Sequence, residues 1–456
     1  MDQKTYDLII IGGGPAGYLA AERASKEGLS VAVFEKRSLG GVCLNEGCIP
    51  TKSLLNSAKI YAKTAHGKVY GVNAQEMKLD HMCVIQRKNE VVKTLVEGVK
   101  AKMYTSKVEV IPAVASIKGK TAEGFIVTAN RKDYTAKNIL LAAGSDAIVP
   151  PILGLADALQ KGFAYTSREI LNIDHLPKKL IIIGGGVIGL EMAYYFCMAG
   201  VQVTVIEMLN KIAGPVDAEL SKILLNSLVR NGVEFHLNSR VIEFENGIVA
   251  ALKGGKRFKI ETDAVLLSIG RCPSTDGLGL ETIGIYTERG AVVTDNHMRT
   301  NISNVYAAGD INGKSMLAHT AYREAEVAIN NILGKKDLMS YDVIPSVIYT
   351  TPEVATIGET EDTAKEKGFS FEIKKLSMAY SGRYVAENEY ADGVCKVIVE
   401  KGTERLLGVQ LIGIYASEII LAAGVMIESR LPLESLKKIV FAHPTEGEII
   451  RETIFN

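Results

Sequence analysis

The chain has no excess of charge of either sign: 52 Lys and Arg balance 52 Asp and Glu over 456 residues. Binding nucleic acid by a general electrostatic mechanism needs a concentrated positive field, so no nucleic-acid partner is expected. Cysteine is scarce, six in the whole chain, which rules out a disulfide-stapled scaffold. Long apolar runs are missing too. The longest candidate, Leu180 to Leu190, contains four glycines and is followed by Glu191, whereas a membrane-spanning helix needs about 18 uninterrupted apolar residues. The N-terminus, MDQKTYDLIIIGGG, lacks the form of a secretory leader: an acidic residue sits in the would-be basic region and the apolar run stops at three glycines. With 47% hydrophobic and 23% charged residues the composition is ordinary for a globular protein, and a soluble, cytoplasmic chain of about three domains is expected. Prolines number 12 against 43 glycines, which points to many tight strand-to-helix turns.

What the chain does contain is a repeat. Tyr6 to Ile11 is a short apolar run leading into Gly12-Gly13-Gly14-Pro15-Ala16-Gly17, a helical stretch to Lys26, and a second run, Val31 to Phe34, that ends in Glu35. Leu180 to Ile183 leads in the same way into Gly184-Gly185-Gly186-Val187-Ile188-Gly189, a helix to Met198, and a run from Val201 to Ile206 that ends in Glu207. First glycine and acidic residue are 23 positions apart in both copies (35 − 12 and 207 − 184). A single G-x-G-x-x-G is weak evidence. Two copies, each between an apolar strand and a helix and each closed by a carboxylate at one offset, are strong evidence for two dinucleotide sites. The glycines let backbone N–H groups approach a pyrophosphate at a helix N-terminus, and the carboxylate accepts from ribose hydroxyls. Two ordinary βαβ turns with packing glycines are the plainer alternative, disfavoured by the completeness of the fingerprint. Two such sites suggest an oxidoreductase that passes electrons between two cofactors.

The remaining pattern predicts a long amphipathic helix over Asp80 to Tyr104, strands over Val108 to Ile117, Gly124 to Thr128 and Asn138 to Ala143, and a connection at Pro150-Pro151. After Ile269-Gly270-Arg271-Cys272-Pro273 the chain is turn-rich to Asn304. From about Tyr341 strand character (Ser346 to Tyr349, Val394 to Val399) is followed by helices, which reads as an α+β domain. The expected organisation is α/β. Residues 1–145 form a first dinucleotide domain, 146–265 a second, 266–336 a segment completing the first, and 337–456 a C-terminal α+β domain.

Just downstream of Glu35, Cys43 and Cys48 are separated by four residues. In an ideal helix Cα atoms five apart lie roughly 8–9 Å from each other, and a disulfide tolerates only about 7 Å. A bridge therefore requires a distorted turn, and Gly47 supplies the freedom for one. Pro50 suits a helix first turn, and a helix starting there places its positive end beside Cys48, favouring the thiolate. Two free thiols, or half of a metal site, are the alternatives. A metal site usually needs a second Cys/His pair at similar spacing, and Cys83, Cys197, Cys272 and Cys395 are isolated, so no metal is expected.

The stretch GGVCLNEGCIPTK (40–52) resembles the active-site signature of the flavin disulfide reductases, the flavin-dependent pyridine nucleotide–disulfide oxidoreductases, and CLNEGCIP is most similar to their dihydrolipoamide dehydrogenase branch. The resemblance covers essentially the whole chain. TNISNVYAAGD (300–310) resembles the second flavin motif, followed by Met316-Leu317-Ala318-His319; Ser268 to Pro273 and Ala142-Ala143-Gly144 match the crossover motifs; PSVIYTTPEVATIG (345–358) resembles the start of the dimerisation domain. The resemblance implies FAD at the first site, against Gly12, Gly14, Pro15, Ala16, Gly17, Glu35, Lys36, Gly41, Val42, Lys52, Ala115, Ala143, Gly144, Gly270, Arg271, Gly309, Asp310, Met316, Leu317, Ala318 and His319, with Asp310 on the ribityl chain. It implies a nicotinamide cofactor at the second, against Gly184, Gly186, Val187, Ile188, Gly189, Glu191 and Glu207. Glu207 is followed by Met208, Leu209 and Asn210 with no arginine for a 2′-phosphate, which its carboxylate would repel, so NAD is favoured over NADP.

Near the C-terminus stands His443-Pro444-Thr445-Glu446-Gly447-Glu448. Thiol–disulfide exchange runs through a thiolate, and a dithiol of pKa near 8–9 needs a base at neutral pH. A histidine steadied by a carboxylate suits that role. By spacing alone, Thr445-x-x-Glu448 is better read as a capping box opening the final helix. The resemblance reverses this, implying that His443 and Glu448 are the acid–base dyad, contributed by the partner subunit of a homodimer. It likewise implies a Lys52–Glu191 ion pair beside the flavin, although Lys52 taken singly reads as a helix residue. Two departures stand out: Val42 where the family usually has threonine, and Phe441 where a histidine is often found. The function implied is oxidation of dihydrolipoamide, borne by lipoyl domains of 2-oxo-acid dehydrogenase E2 components or the glycine-cleavage H protein, through a Cys43–Cys48 disulfide and FAD to NAD⁺. With the first strand opening at Tyr6, no fused lipoyl module is expected. The rivals are another flavin disulfide reductase, acting on glutathione or mercuric ion, or an assembly subunit without turnover of its own.

Overall fold

A computed structural model describes residues 5–245, 247–389 and 392–456. It separates into two compact units, one of Met1–Ser53, Ile85–Ile148 and Gly270–Ser340, the other of Leu54–Val84, Val149–Ile269 and Tyr341–Asn456.

The first unit is built on β1 (Thr5–Ile11), α1 (Pro15–Lys26) and β2 (Val31–Glu35), a βαβ unit whose strands pair in parallel. Leu8, Ile9 and Ile10 are all fully buried, as expected of a parallel strand covered on both faces. Each such side chain contributes roughly 1.5–3 kcal/mol. The chain continues through α2 (Gly41–Glu46), α3 (Cys48–Ala65) and α4 (His81–Thr105), the last within one residue of the predicted helix. Next come β3 (Glu109–Pro112), β4 (Ala115–Thr121), β5 (Gly124–Ala129) and β6 (Lys132–Leu141). The sheet order is β3-β2-β1-β6-β5-β4, with Val305–Ala307 added parallel to β6. The single strand predicted over 108–117 is two. β3 lies parallel to β2 while β4 runs antiparallel to β5, and Pro112, which cannot donate to a ladder, ends the first. β6 is longer than predicted because Asn130 and Arg131 both take positive φ (48° and 60°), making a tight hairpin turn from a dipeptide that carries little turn signal.

The second unit repeats the βαβ syntax: Lys179–Ile183 and Gln202–Ile206 pair in parallel around the helix Val187–Met198. They belong to a five-stranded sheet whose strands pair in parallel throughout. The C-terminal part is a five-stranded antiparallel sheet in the order 346–348, 353–358, 406–413, 394–400, 371–377. The helices Ala416–Ser429 and Glu448–Phe455 share a buried cluster with it that includes Ile357, Val397, Leu411, Ile420 and Ile450.

The repeats agree down to the third glycine. A Cβ on Gly17 would stand 1.8 Å from the carbonyl oxygen of Gly12, and one on Gly189 would stand 2.1 Å from that of Gly184. Helix and turn can close this tightly only without a side chain. Gly17→Ala should therefore lower the urea midpoint of unfolding, by about 1–3 kcal/mol of stability; an unchanged midpoint would contradict this packing.

Candidate active site

The dithiol comes first. α2 ends at Gly47, whose φ of −151° and ψ of −102° leave the helix, and α3 begins at Cys48. The break is the distorted turn that the spacing requires. A Cβ at Gly47 would press to 3.1 Å from the carbonyl oxygen of Val42. The fold brings the Cys43 and Cys48 side chains into hydrogen-bonding contact, both as free thiols. Cys48 opens an 18-residue helix, where the positive end of the dipole favours a thiolate. The Cys43 thiol is pushed far above its ordinary value, first by its hydrogen bond to Cys48, then by burial and by the charge of Cys48; the ammonium of Lys52 pulls the other way. Within the pair, Cys43 is the sulfur whose ionisation is disfavoured.

Around it, Gly41 brings the start of α2 against the first glycine loop: its φ is +57°, and a Cβ there would lie 2.6 Å from the Cα of Gly14. Arg271 donates to the Ser145 carbonyl at 2.6 Å and to its hydroxyl at 2.7 Å, and that hydroxyl also bonds Asp310. Asp310 is near enough for its charge to raise Cys43. Glu324, fully buried, accepts from the Gly309 N–H at 2.5 Å. Ser145 and Glu324 were not legible in the sequence, since neither stands in a motif. Nor was the pair Tyr18 and Tyr322, whose hydroxyls bond each other and which both feel the charges of Cys43 and Cys48.

The two glycine loops are held alike. Glu35 accepts from Gly13 N–H at 2.7 Å and Arg37 N–H at 2.6 Å; Glu207 accepts from Gly185 N–H at 2.6 Å and Leu209 N–H at 2.7 Å. Each carboxylate is thus fixed at the end of its strand with lone pairs left for ribose hydroxyls. The helix N-caps are Gly14 and Gly186, neither with a side-chain cap, so the first N–H groups remain for a pyrophosphate. Both loops fit a dinucleotide. Of the other predicted contacts, Val42 lies within α2 beside Gly41, Pro15 and Ala16 open α1, Lys36 follows Glu35, and Ala115 opens β4. Ala143 and Gly144 follow β6, and Gly270 precedes the strand Arg271–Pro273. Met316 and Leu317 lead into the helix Ala318–Ile332, whose second residue is His319. Val187 and Ile188 open their helix.

In the second unit His443 Nδ1 lies 2.9 Å and 3.2 Å from the two carboxylate oxygens of Glu448. The imidazole is exposed, with 79% of its side chain open, and Nδ1 facing the carboxylate leaves Nε2 to exchange a proton. Glu448 is held below its ordinary value, first by the Thr445 N–H and also by His443. The capping box is half made. Glu448 accepts from Thr445 N–H at 2.8 Å, but the Thr445 hydroxyl donates to the Ala442 carbonyl and the helix starts at Glu448. Dyad and half-cap are one arrangement. Lys52 belongs to the first unit and Glu191 to the second, where Glu191, 3% exposed, accepts from the Tyr349 N–H at 2.9 Å.

A sequence model of the pyridine nucleotide-disulphide oxidoreductases matches residues 6–325, and one of their dimerisation domain matches residues 344–454. The dihydrolipoyl dehydrogenase of Mycoplasma pneumoniae is 37% identical over 453 residues, covering 98% of this chain and 97% of that protein. The dihydrolipoamide dehydrogenase of Chaetomium thermophilum is 38% identical, covering 98% and 90%. Among solved structures, the HOCl-induced flavoprotein disulfide reductase RclA of Escherichia coli superposes with a TM-score of 0.86 at 29% identity, covering 99% of each chain. From the placement of Glu207, Glu207→Gln should raise the NADPH-to-NADH ratio of kcat/KM about tenfold, one charge repulsion of roughly 1.4 kcal/mol; an unaltered ratio would contradict its part in excluding a 2′-phosphate.

Proposed function

The chain belongs to the pyridine nucleotide–disulphide oxidoreductase family, and on that premise we propose that it oxidises protein-bound dihydrolipoamide, drawing two electrons through Cys43 and Cys48 and delivering them to NAD⁺. The observation that carries the reading is the dithiol, two sulfurs in contact across a helix break, one of them at the start of α3. FAD and NAD are its cofactors. When bound, FAD supplies a two-electron acceptor for the dithiol and NAD⁺ takes the electron pair as hydride.

The chain's own residues account for the exchange. Nε2 of His443, its ring oriented by Glu448, takes the proton of one substrate thiol. The resulting thiolate attacks Cys43 Sγ of the oxidised pair, the Cys43–Cys48 bond breaks, and Cys48 leaves as a thiolate stabilised by the start of α3. The second substrate thiol then attacks the substrate sulfur of the mixed disulfide, the bond from that sulfur to Cys43 breaks, and the second thiol's proton passes to the released Cys43. Substrate dithiol becomes disulfide as enzyme disulfide becomes dithiol. Lys52 and Glu191 would flank the flavin, as the family's pattern has them.

The dimerisation domain supports a homodimer, and His443, which lies within it, would serve the dithiol of the other copy. The electron donors are the lipoyl domains of 2-oxo-acid dehydrogenase E2 components or the glycine-cleavage H protein, in the cytoplasm. Support comes from near full-length relatives that bear the dihydrolipoyl dehydrogenase name. For His443→Gln, oxidation of free dihydrolipoamide should fall by about 10²-fold or more while the flavin spectrum is kept. Turnover near the parent rate would remove His443 as the base, and a parent enzyme with no such turnover would favour the assembly subunit.

A further inference from the structure

The turn that carries the dyad buries a second carboxylate. Glu446 lies between His443 and Glu448, is 4% exposed, and has no hydrogen-bond partner for either side-chain oxygen. An ionised carboxylate left in that state is far costlier than the neutral acid. The charged groups facing it do not compensate. Arg383 and Glu387, from the helix Gly382–Glu387, are paired with each other at 2.8 Å. Glu353, from the strand Glu353–Gly358, is committed to Lys59 at 2.9 Å and to the Ser417 hydroxyl at 2.8 Å. Lys63 of α3 is exposed, and Tyr384 is an uncharged phenol pushed up to about 12. On its own segment His443 and Glu448 are paired with each other. Burial first, then Glu387, pushes the Glu446 acid up to about 7.

The backbone on either side of Glu446 is what places the dyad. The Thr445 carbonyl accepts from the Ser381 hydroxyl, the Thr445 N–H holds Glu448, and the Glu446 carbonyl accepts from Ile449 N–H at the head of the last helix. We propose that Glu446 is a positioning residue for the His443–Glu448 pair, seated in the turn as the neutral acid, and that loss of its proton unseats the turn and displaces the imidazole. The link to catalysis rests on the reading of His443 as the base.

The sign follows from proton binding. Between the ordinary carboxylate range and about pH 7 the folded chain holds a proton that the unfolded chain has lost, so stability from the seated turn is complete below that window, falls across it, and is level above it. Glu446→Gln keeps the shape and cannot ionise; Glu446→Leu removes the charge without an amide. In the holoenzyme dimer, the Tm of each variant minus that of the parent should rise from about pH 5 to pH 7.5 and then level off. For the parent, kcat/KM with dihydrolipoamide should bend downward near pH 7, and both variants should lose that bend and exceed the parent severalfold at pH 8. A role in packing alone predicts a Tm difference that is flat with pH and a profile of unchanged shape, and either result overturns the proposal. Turnover of dihydrolipoamide by the parent at pH 6 keeps a failed functional reading apart from a failed role for Glu446; without that turnover the Tm series decides.

Discussion

Two sulfurs five positions apart cannot meet on an unbroken helix, and the site depends on the one residue that breaks it. Gly47 stops α2 and lets α3 start at Cys48, which does two things at once. The thiols come into contact, and one of them gains the N-terminal end of a long helix. The asymmetry between the two sulfurs is therefore built into the backbone: Cys43 is half-buried with its thiol pushed up, first by its hydrogen bond to Cys48, whereas Cys48 is exposed at the head of α3. A side chain other than glycine at position 47 would crowd the Val42 carbonyl, so contact and asymmetry stand on the same atom-scale clearance.

Around this break the fold places carboxylates where backbone amides control them. Glu35 and Glu207 each take two N–H groups from their own loops, so that a charge at the end of a strand becomes a fixed acceptor. Glu448 takes one from Thr445 and shares the His443 ring. Glu446 takes none through its side chain. That contrast, in a turn of six residues, sets the carboxylate that meets the His443 ring apart from the one proposed to answer to pH.

Much of this was legible in the sequence, for physical reasons that differ from residue to residue. The paired glycine fingerprints and their acids were readable because a nucleotide turn admits few residue types at fixed spacing, and the structure repeats them hydrogen bond for hydrogen bond. The helix break was readable because covalent geometry forbids the alternative. Ser145, Glu324 and the Tyr18–Tyr322 pair were not, because they reach the site through contacts between segments distant in the chain. The strand predicted over 108–117 failed at Pro112 for a related reason: an apolar run does not say which neighbour each half will join. Local spacing alone would have read Glu448 as a cap, and the structure has it as half a cap and the partner of His443 together.

The most direct test of the exchange is to count and map thiols. Purified enzyme, oxidised and then reduced anaerobically with dihydrolipoamide, would be denatured, alkylated and mapped by mass spectrometry. Reduction should add two alkylated cysteines, Cys43 and Cys48, and leave Cys83, Cys197, Cys272 and Cys395 labelled alike in both samples. No gain, or a gain at any of those other four, would show that the electrons take another route.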